Sequence, residues 1–450
     1  MQDSGAVRKW KGGCELRIRR SLESREPWAG NYFVSAYPPF ACWNEAGIES
    51  FCRSLDRPAP SNTPLVVYVH VPFCIKRCQY CYYLSYDDRF QEMDRYLGAL
   101  TRELALYAEK TALLGRKVSS VYFGGGTPSL LSRPRIRRLM EDLQEIFPWS
   151  DAREVTFECA PRSVTEAKLG ELRDAGVTRI SLGVQQLDDE VLRQNGRVHL
   201  VHDVERTYEA ARCARFEMVN MDLMVGLVAE TDGSFLKSLD RVIDLSPECV
   251  TIYQLEVPFN TPLYRAIRDG EQSSMPAPWE TKRERLKQGM VRLEEAGYRM
   301  RSAYTAVRDP ERHRFVYQDE QYRGADLLGL GVSSFSYVGG VHQQNRTSLR
   351  EYLEIVEGGE LPQGRGYALS GGERLVREFV LQLKLGAVDA GRFREKFGAE
   401  VTESFRRPLT HFQELGWLTL EEDQVRLTRE GLLRVDGMIP AFYLPEHSSG

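Results

Sequence analysis

The chain has 450 residues, 42% hydrophobic and 28% charged, the balance of a globular protein long enough for one large domain and a smaller one. A formal net charge of −4 and a pI near 6.1 argue against nucleic-acid binding, which calls for a basic surplus. No apolar run approaches the roughly 18 residues of a membrane span, the start lacks a signal-like apolar core, and the nine cysteines show no general pairing pattern, so reduced thiols and a cytoplasmic location are expected.

In chain order, residues 1–60 read as an irregular N-terminal strap, broken by prolines yet rich in aromatics (Trp28, Tyr32, Phe33, Tyr37, Phe40 and Trp43), and 57–64 as a linker. From residue 65, short β-branched or aromatic runs alternate with longer amphipathic ones. Strands are expected near 65–71, 119–123, 154–159, 178–183, 217–224 and 249–255, with helices near 92–113, 132–146, 164–175, 202–214 and 233–244. Six such units make an α/β fold, a partial (β/α)6 TIM barrel over 61–260, with functional residues expected at the carboxyl ends of its strands. Residues 261–369 read as an extension completing the core, with a helix near 280–296, a strand near 297–304 and Gly-rich turns around 324–340. From 370 to 450, helices followed by a hairpin point to a small helical, winged-helix-like domain, whose interspersed charges suit a structural or lid role better than DNA reading.

The stretch leaving the first strand holds Cys74, Cys78 and Cys81 at C-x3-C-x2-C spacing, with Tyr80 before the last cysteine. Three thiolates on one loop leave one iron of a 4Fe–4S cube without a protein ligand, and an open iron binds small molecules, whereas an electron-carrying cluster normally has four cysteines. A zinc site or a disulfide pair are the alternatives; the first usually wants a second ligand pair downstream, the second an oxidising compartment. The second strand closes on Gly124, Gly125, Gly126 and Thr127, where missing side chains let a ligand approach backbone. Glu158, Gln185 and Asp222 are polar groups at or near the ends of apolar strands, and Arg197 is a cation in a loop. Each alone reads equally well as a salt-bridged strand end.

The cysteine motif resembles that of the radical S-adenosylmethionine (SAM) superfamily. In order, these motifs are similar to those of the oxygen-independent coproporphyrinogen III oxidase family, with its heme chaperone and class C methylase relatives. The resemblance implies a 4Fe–4S cluster on Cys74, Cys78 and Cys81. It implies SAM contacts from Tyr68, Tyr80, Gly124, Gly125, Gly126, Thr127, Glu158, Gln185, Arg197 and Asp222, and a second SAM near Gly331 and Val332. It assigns no catalytic residue beyond these. One departure concerns the residues after Cys81: the oxidases carry a cysteine two positions on, where this chain has Tyr82-Tyr83. That points to a class C methyltransferase acting on a planar apolar ring, menaquinone first, with an oxidase-like enzyme and a heme chaperone as alternatives. The expected partners are a small apolar or planar substrate and a low-potential donor such as flavodoxin or ferredoxin, with peripheral membrane contact if the substrate is a quinone.

Overall fold

The computed structural model describes residues 33–447 apart from positions 272 and 274; the first 32 positions of the expected strap, with Trp28 and Tyr32, lie outside the described residues. The chain divides into two compact units, one containing Trp43–Ala368, the other residues 33–42 together with 369–447.

The larger unit is built on six parallel strands paired in sequence order: β1 (Leu65–Val71), β2 (Val118–Gly125), β3 (Glu154–Cys159), β4 (Arg179–Gln185), β5 (Met218–Val225) and β6 (Cys249–Gln254). Strands covered on both faces read as near-continuous apolar runs, and β1 buries every residue except a partly exposed Tyr68. A helix, α1 (Ala46–Leu55), precedes β1. The crossovers carry α2 (Met93–Ala108), α3 (Arg133–Ile146), α4 (Glu166–Asp174), α5 (Asp189–Gln194), α6 (Val201–Ala214) and α7 (Asp232–Leu245). Their starts follow ordinary capping chemistry: Thr165, Asp188 and Thr231 accept backbone N–H groups of the first turns.

Three expectations need correction. Residues 1–60 are not irregular throughout, because α1 buries Phe51 and Leu55 and brings its backbone against a strand: a Cβ on Gly47 would collide with Gly366. Arg299–Met300 (β7) and Thr305–Val307 (β8) form an antiparallel hairpin where one strand over 297–304 is expected, because Arg301 turns the chain by donating its amide to the Thr305 carbonyl. Finally, the stretch read as turns around 324–340 contains β9 (Asp326–Leu330), which pairs parallel with β1 and makes a seventh parallel strand, followed by β10 (Phe335–Val338). Gly329 sits where a side chain would strike the Phe335 backbone. The sheet ends with β11 (Val341–Asn345) and β12 (Gln363–Ala368) beside β10, and with β8 and β7 beside β6. No helix among the described residues is long and apolar enough to cross a membrane.

Glu103 of α2 is fully buried and locks the turn after β9: its carboxylate accepts from the Gly331 amide (2.7 Å), the Tyr352 hydroxyl (2.7 Å) and the Asn345 side chain (2.6 Å). Burial pushes it up to about 7 despite three donors.

The smaller unit places a helix (Gly371–Leu383), a short strand (Ala387–Asp389), further helices and a hairpin (Leu418–Glu421 with Gln424–Leu427) in winged-helix order. Phe379, Phe405, Phe412 and Phe442 meet in its core, with Phe379 and Phe405 ring centroids 4.4 Å apart.

Candidate cofactor site

The loop leaving β1 is pinned at its base by two backbone bonds, Cys74 N–H to the Tyr86 carbonyl (2.9 Å) and Tyr86 N–H to the Pro72 carbonyl (2.6 Å). Arg77 donates to the Cys81 carbonyl (2.9 Å) and the Gln79 amide to the Asn195 carbonyl (3.2 Å), which anchors the loop between its ends. Cys74, Cys78 and Cys81 are each partly buried. Thr127 Oγ1 lies 3.5 Å from Cys74 Sγ and Arg197 Nη1 3.2 Å from Cys78 Sγ, donors suited to sulfur carrying negative charge. Burial, then the neighbouring cluster thiols, push Cys81 up to about 12, so the bare loop holds thiols that must lose protons to bind iron. Among the described residues no three His, Cys, Asp or Glu side chains are grouped to hold a single metal ion.

Tyr80 turns inward, its ring packed with Val191, Leu227, Leu255, Val257 and Leu263. Tyr68 sits on β1 with its hydroxyl 3.2 Å from His70 Nδ1, while His70 Nε2 lies 3.0 Å from the Leu84 carbonyl. A carbonyl can only accept, so Nε2 carries the proton and Nδ1 accepts from Tyr68.

The glycines at the end of β2 and just after it are required by close approach. A side chain at Gly125 (φ +114°) would strike the His70 ring, and one at Gly126 would lie 2.8 Å from the Phe73 carbonyl oxygen. Their amides are already used: Gly125 N–H goes to Glu158 (3.2 Å) and Gly126 N–H to the Val71 carbonyl (2.9 Å). Neither amide is left to bind a ligand.

Glu158 also accepts from the Tyr122 hydroxyl (2.7 Å), and burial holds its carboxyl up to about 7. Asp222, paired across the sheet with Gly183, accepts from Ser181 Oγ (2.8 Å) and Asn220 Nδ2 (2.8 Å); burial raises its carboxyl too. Gln185 closes β4 at a register shift with φ +67°, in the left-handed region. Arg197 is anchored through Nη2 to the Gly183 carbonyl (2.6 Å), and its buried Nε has no partner among the described residues. These positions thus come together around the carboxyl ends of β1–β5. Gly331 and Val332 do not offer their amides, which are taken by Glu103 and by the Tyr96 hydroxyl (3.1 Å) inside the fold.

Sequence reasoning missed four residues. Arg179, buried at the start of β4, lies over the Phe315 ring at 4.0 Å, and its charge favours the ionised forms of Glu154, Glu158 and Asp222. Glu154 accepts from the amides of Val316 (3.0 Å) and Tyr317 (3.3 Å), fixing an aromatic wall in which Tyr122 meets Tyr317 at 4.9 Å and Phe315 at 6.0 Å.

A Radical SAM superfamily model matches residues 68–242, and a HemN C-terminal domain model matches 369–434. The heme chaperone HemW of Bacillus subtilis is 30% identical over 380 residues, 83% of this chain and 98% of its own length. The oxygen-independent coproporphyrinogen III oxidase of Escherichia coli is 29% identical over 439 residues, 94% of each chain, and that of Pseudomonas aeruginosa 29% over 458, covering 96% and 97%. The structure of E. coli coproporphyrinogen III oxidase (HemN), described as a radical SAM enzyme, superposes with a TM-score of 0.78 at 28% identity, over 91% of this chain and 96% of that one. The chain belongs to the radical SAM superfamily, within the oxygen-independent coproporphyrinogen III oxidase family.

A radical SAM protein carries a 4Fe–4S cluster and SAM, and the residues present fit both. Three thiols share one loop, two partly buried carboxyls, Glu158 and Asp222, suit a cation, and Arg197 Nε, buried without a partner among the described residues, suits a carboxylate. Glu158 makes this testable by pH. Its carboxyl is neutral below about 7 and charged above it, and a sulfonium and ammonium ligand favours the charged form. SAM affinity should therefore rise by up to about tenfold per pH unit on approaching neutrality and level off above it. Equilibrium dialysis of unreduced holoprotein between pH 6 and 8 checks this, with Glu158→Gln expected to flatten the slope.

Proposed function

We propose that the protein is a coproporphyrinogen oxidase-type oxidoreductase of tetrapyrrole metabolism, abstracting hydrogen from a planar, ring-bearing substrate. What supports this reading is that the E. coli and P. aeruginosa oxidases align over 94% and 96% of this chain, further than the heme chaperone, which aligns over 83% of this chain and 98% of its own length. Methyl transfer to menaquinone, first on the sequence alone, gives way because these extensive relatives are oxidases and a chaperone.

When bound, the cluster and SAM supply a 5′-deoxyadenosyl radical after one-electron reduction by a donor such as flavodoxin or ferredoxin. The chain's own residues set where that chemistry takes place. Arg197, whose Nη1 lies beside Cys78 Sγ, would hold a SAM carboxylate, and Glu158 and Asp222 would meet its cationic groups. The Tyr68, Tyr122, Phe315 and Tyr317 rings form a wall that excludes water and presents a flat face to the substrate.

A second reading, methyl transfer to an sp2 carbon with a second SAM, is favoured by Tyr82 and Tyr83. They occupy the positions where the oxidases extend the cysteine motif, stacked at 4.6 Å with Tyr83 51% exposed, a platform for a planar ring such as menaquinone. Anaerobic turnover with methyl-labelled SAM and either coproporphyrinogen III or menaquinone separates the readings. The oxidase reading expects 5′-deoxyadenosine and carbon dioxide with coproporphyrinogen and no S-adenosylhomocysteine. Labelled, methylated menaquinone with both SAM products would replace it with the second reading, and stoichiometric heme binding without SAM turnover would overturn both.

A further inference from the structure

Away from the cofactor site, the smaller unit assembles Cys42, His447 and Glu373 from positions far apart in sequence. His447 Nε2 lies 2.5 Å from Glu373 Oε1, and a carboxylate accepts, so the ring proton resides on Nε2. That leaves the Nδ1 lone pair 3.5 Å from Cys42 Sγ, where it accepts from the thiol. Glu373 is itself fixed: its other oxygen accepts the Ser370 amide (2.7 Å), and the Glu373 amide donates back to Ser370 Oγ (3.3 Å). The Tyr37 ring stands edge-on to the imidazole, with centroids 5.5 Å apart. Glu373 and His447 side chains are 8% and 7% exposed, while Cys42 remains partly accessible. A nucleophile facing a base, with the base oriented by a third group, is the arrangement that activates a thiol.

We propose that Cys42 is a base-assisted nucleophilic thiol that forms mixed disulfides with low-molecular-weight disulfides, His447 taking its proton. The geometry favours attack on sulfur over acyl transfer. Acyl transfer develops an oxyanion that needs donors, and the Cys42 amide is already committed to the Pro39 carbonyl (2.9 Å); a disulfide needs none. Burial, then the Glu373 charge, push the Cys42 thiol up, so the thiol rests protonated and its proton moves on attack. Cys42 Sγ bonds one sulfur of the reagent, the reagent's S–S bond breaks, and the proton passes through His447 Nδ1 to the departing thiolate. One disulfide is consumed and one formed, with no outside oxidant.

The test uses cluster-loaded full-length protein under anaerobic conditions with oxidised glutathione, following each cysteine by peptide mass spectrometry. Cys213, exposed on α6, is the internal reference. Cys42 should react at least about tenfold faster than Cys213, a threshold set below the roughly hundredfold or more that a positioned base typically contributes. His447→Gln should remove that advantage while leaving the Cys213 rate and the cluster absorbance unchanged. A wild-type Cys42 that reacts no faster than Cys213 overturns the inference, whether or not the variant folds. An advantage that survives in a folded His447→Gln protein also overturns it, since the base would then not be His447.

Discussion

Cys78→Ala should abolish the cluster: iron and acid-labile sulfide in anaerobically reconstituted protein are expected to drop from about four of each per chain to near zero, and SAM cleavage with them. The three thiols sit on one loop with no fourth cysteine among them, so losing one leaves two ligands for a four-iron cube. The substitution also leaves Arg197 Nη1 facing an empty sulfur position instead of a donor pair at 3.2 Å. The fold should survive, because the loop is tied by the Cys74 and Tyr86 amides, by Arg77 to the Cys81 carbonyl and by Gln79 to Asn195, none of which needs the Cys78 sulfur. Cys74→Ala and Cys81→Ala should behave alike, while Cys213→Ala retains full iron. A full, stable cluster in all three loop variants would remove the assignment.

The parallel core was legible because its strands are buried on both faces. The run Leu65-Val-Val-Tyr-Val-His-Val71 has no periodic polar face to mistake for a helix, and it forms β1 over those residues. The thiols, Glu158, Gln185 and Asp222 stood out for a related reason, as polar groups at or near the end of such runs, while their SAM role came from the family resemblance. Other parts were hidden by physics that a single chain does not display. In β9 the five residues Asp326-Leu-Leu-Gly-Leu330 are few, and Gly329 reads as a turn although it serves a close approach to Phe335. Arg179 and Glu154 look like strand-start charges that solvent would screen, yet both are buried, and only the packed structure shows Glu154 gripping the amides beneath Phe315 and Tyr317. Motif similarity marked Gly331 and Val332 without showing that Glu103 and Tyr96, on a helix over two hundred positions earlier in the chain, use up both amides.

Arg197→Met should leave the cluster in place and weaken SAM binding by about 30-fold or more, the effect of about 2 kcal/mol or more that follows from removing one partner of a buried charge pair. The guanidinium reaches three neighbours at once: Cys78 Sγ, the Gly183 carbonyl and, at 3.3 Å, His199 Nδ1. His199 cannot replace it. Its Nε2 lies 3.0 Å from the Val184 carbonyl and so carries the proton, and burial, then the Arg197 charge, lower its pKa to about 3, which keeps the ring neutral. Methionine keeps much of the side-chain volume but offers no donor, so a SAM carboxylate would enter a buried pocket with no cation to meet it. Arg197→Lys restores charge without the planar fork and cannot hold the Gly183 carbonyl, the Cys78 sulfur and a carboxylate together; it should recover only a small part of the loss. Equilibrium dialysis of unreduced, cluster-loaded protein reads the affinity, and absorbance of the same samples shows that the cluster is intact. Affinity within twofold of wild type in the methionine variant would show that Arg197 serves the loop and Cys78 alone, and the carboxylate would then have to be held elsewhere.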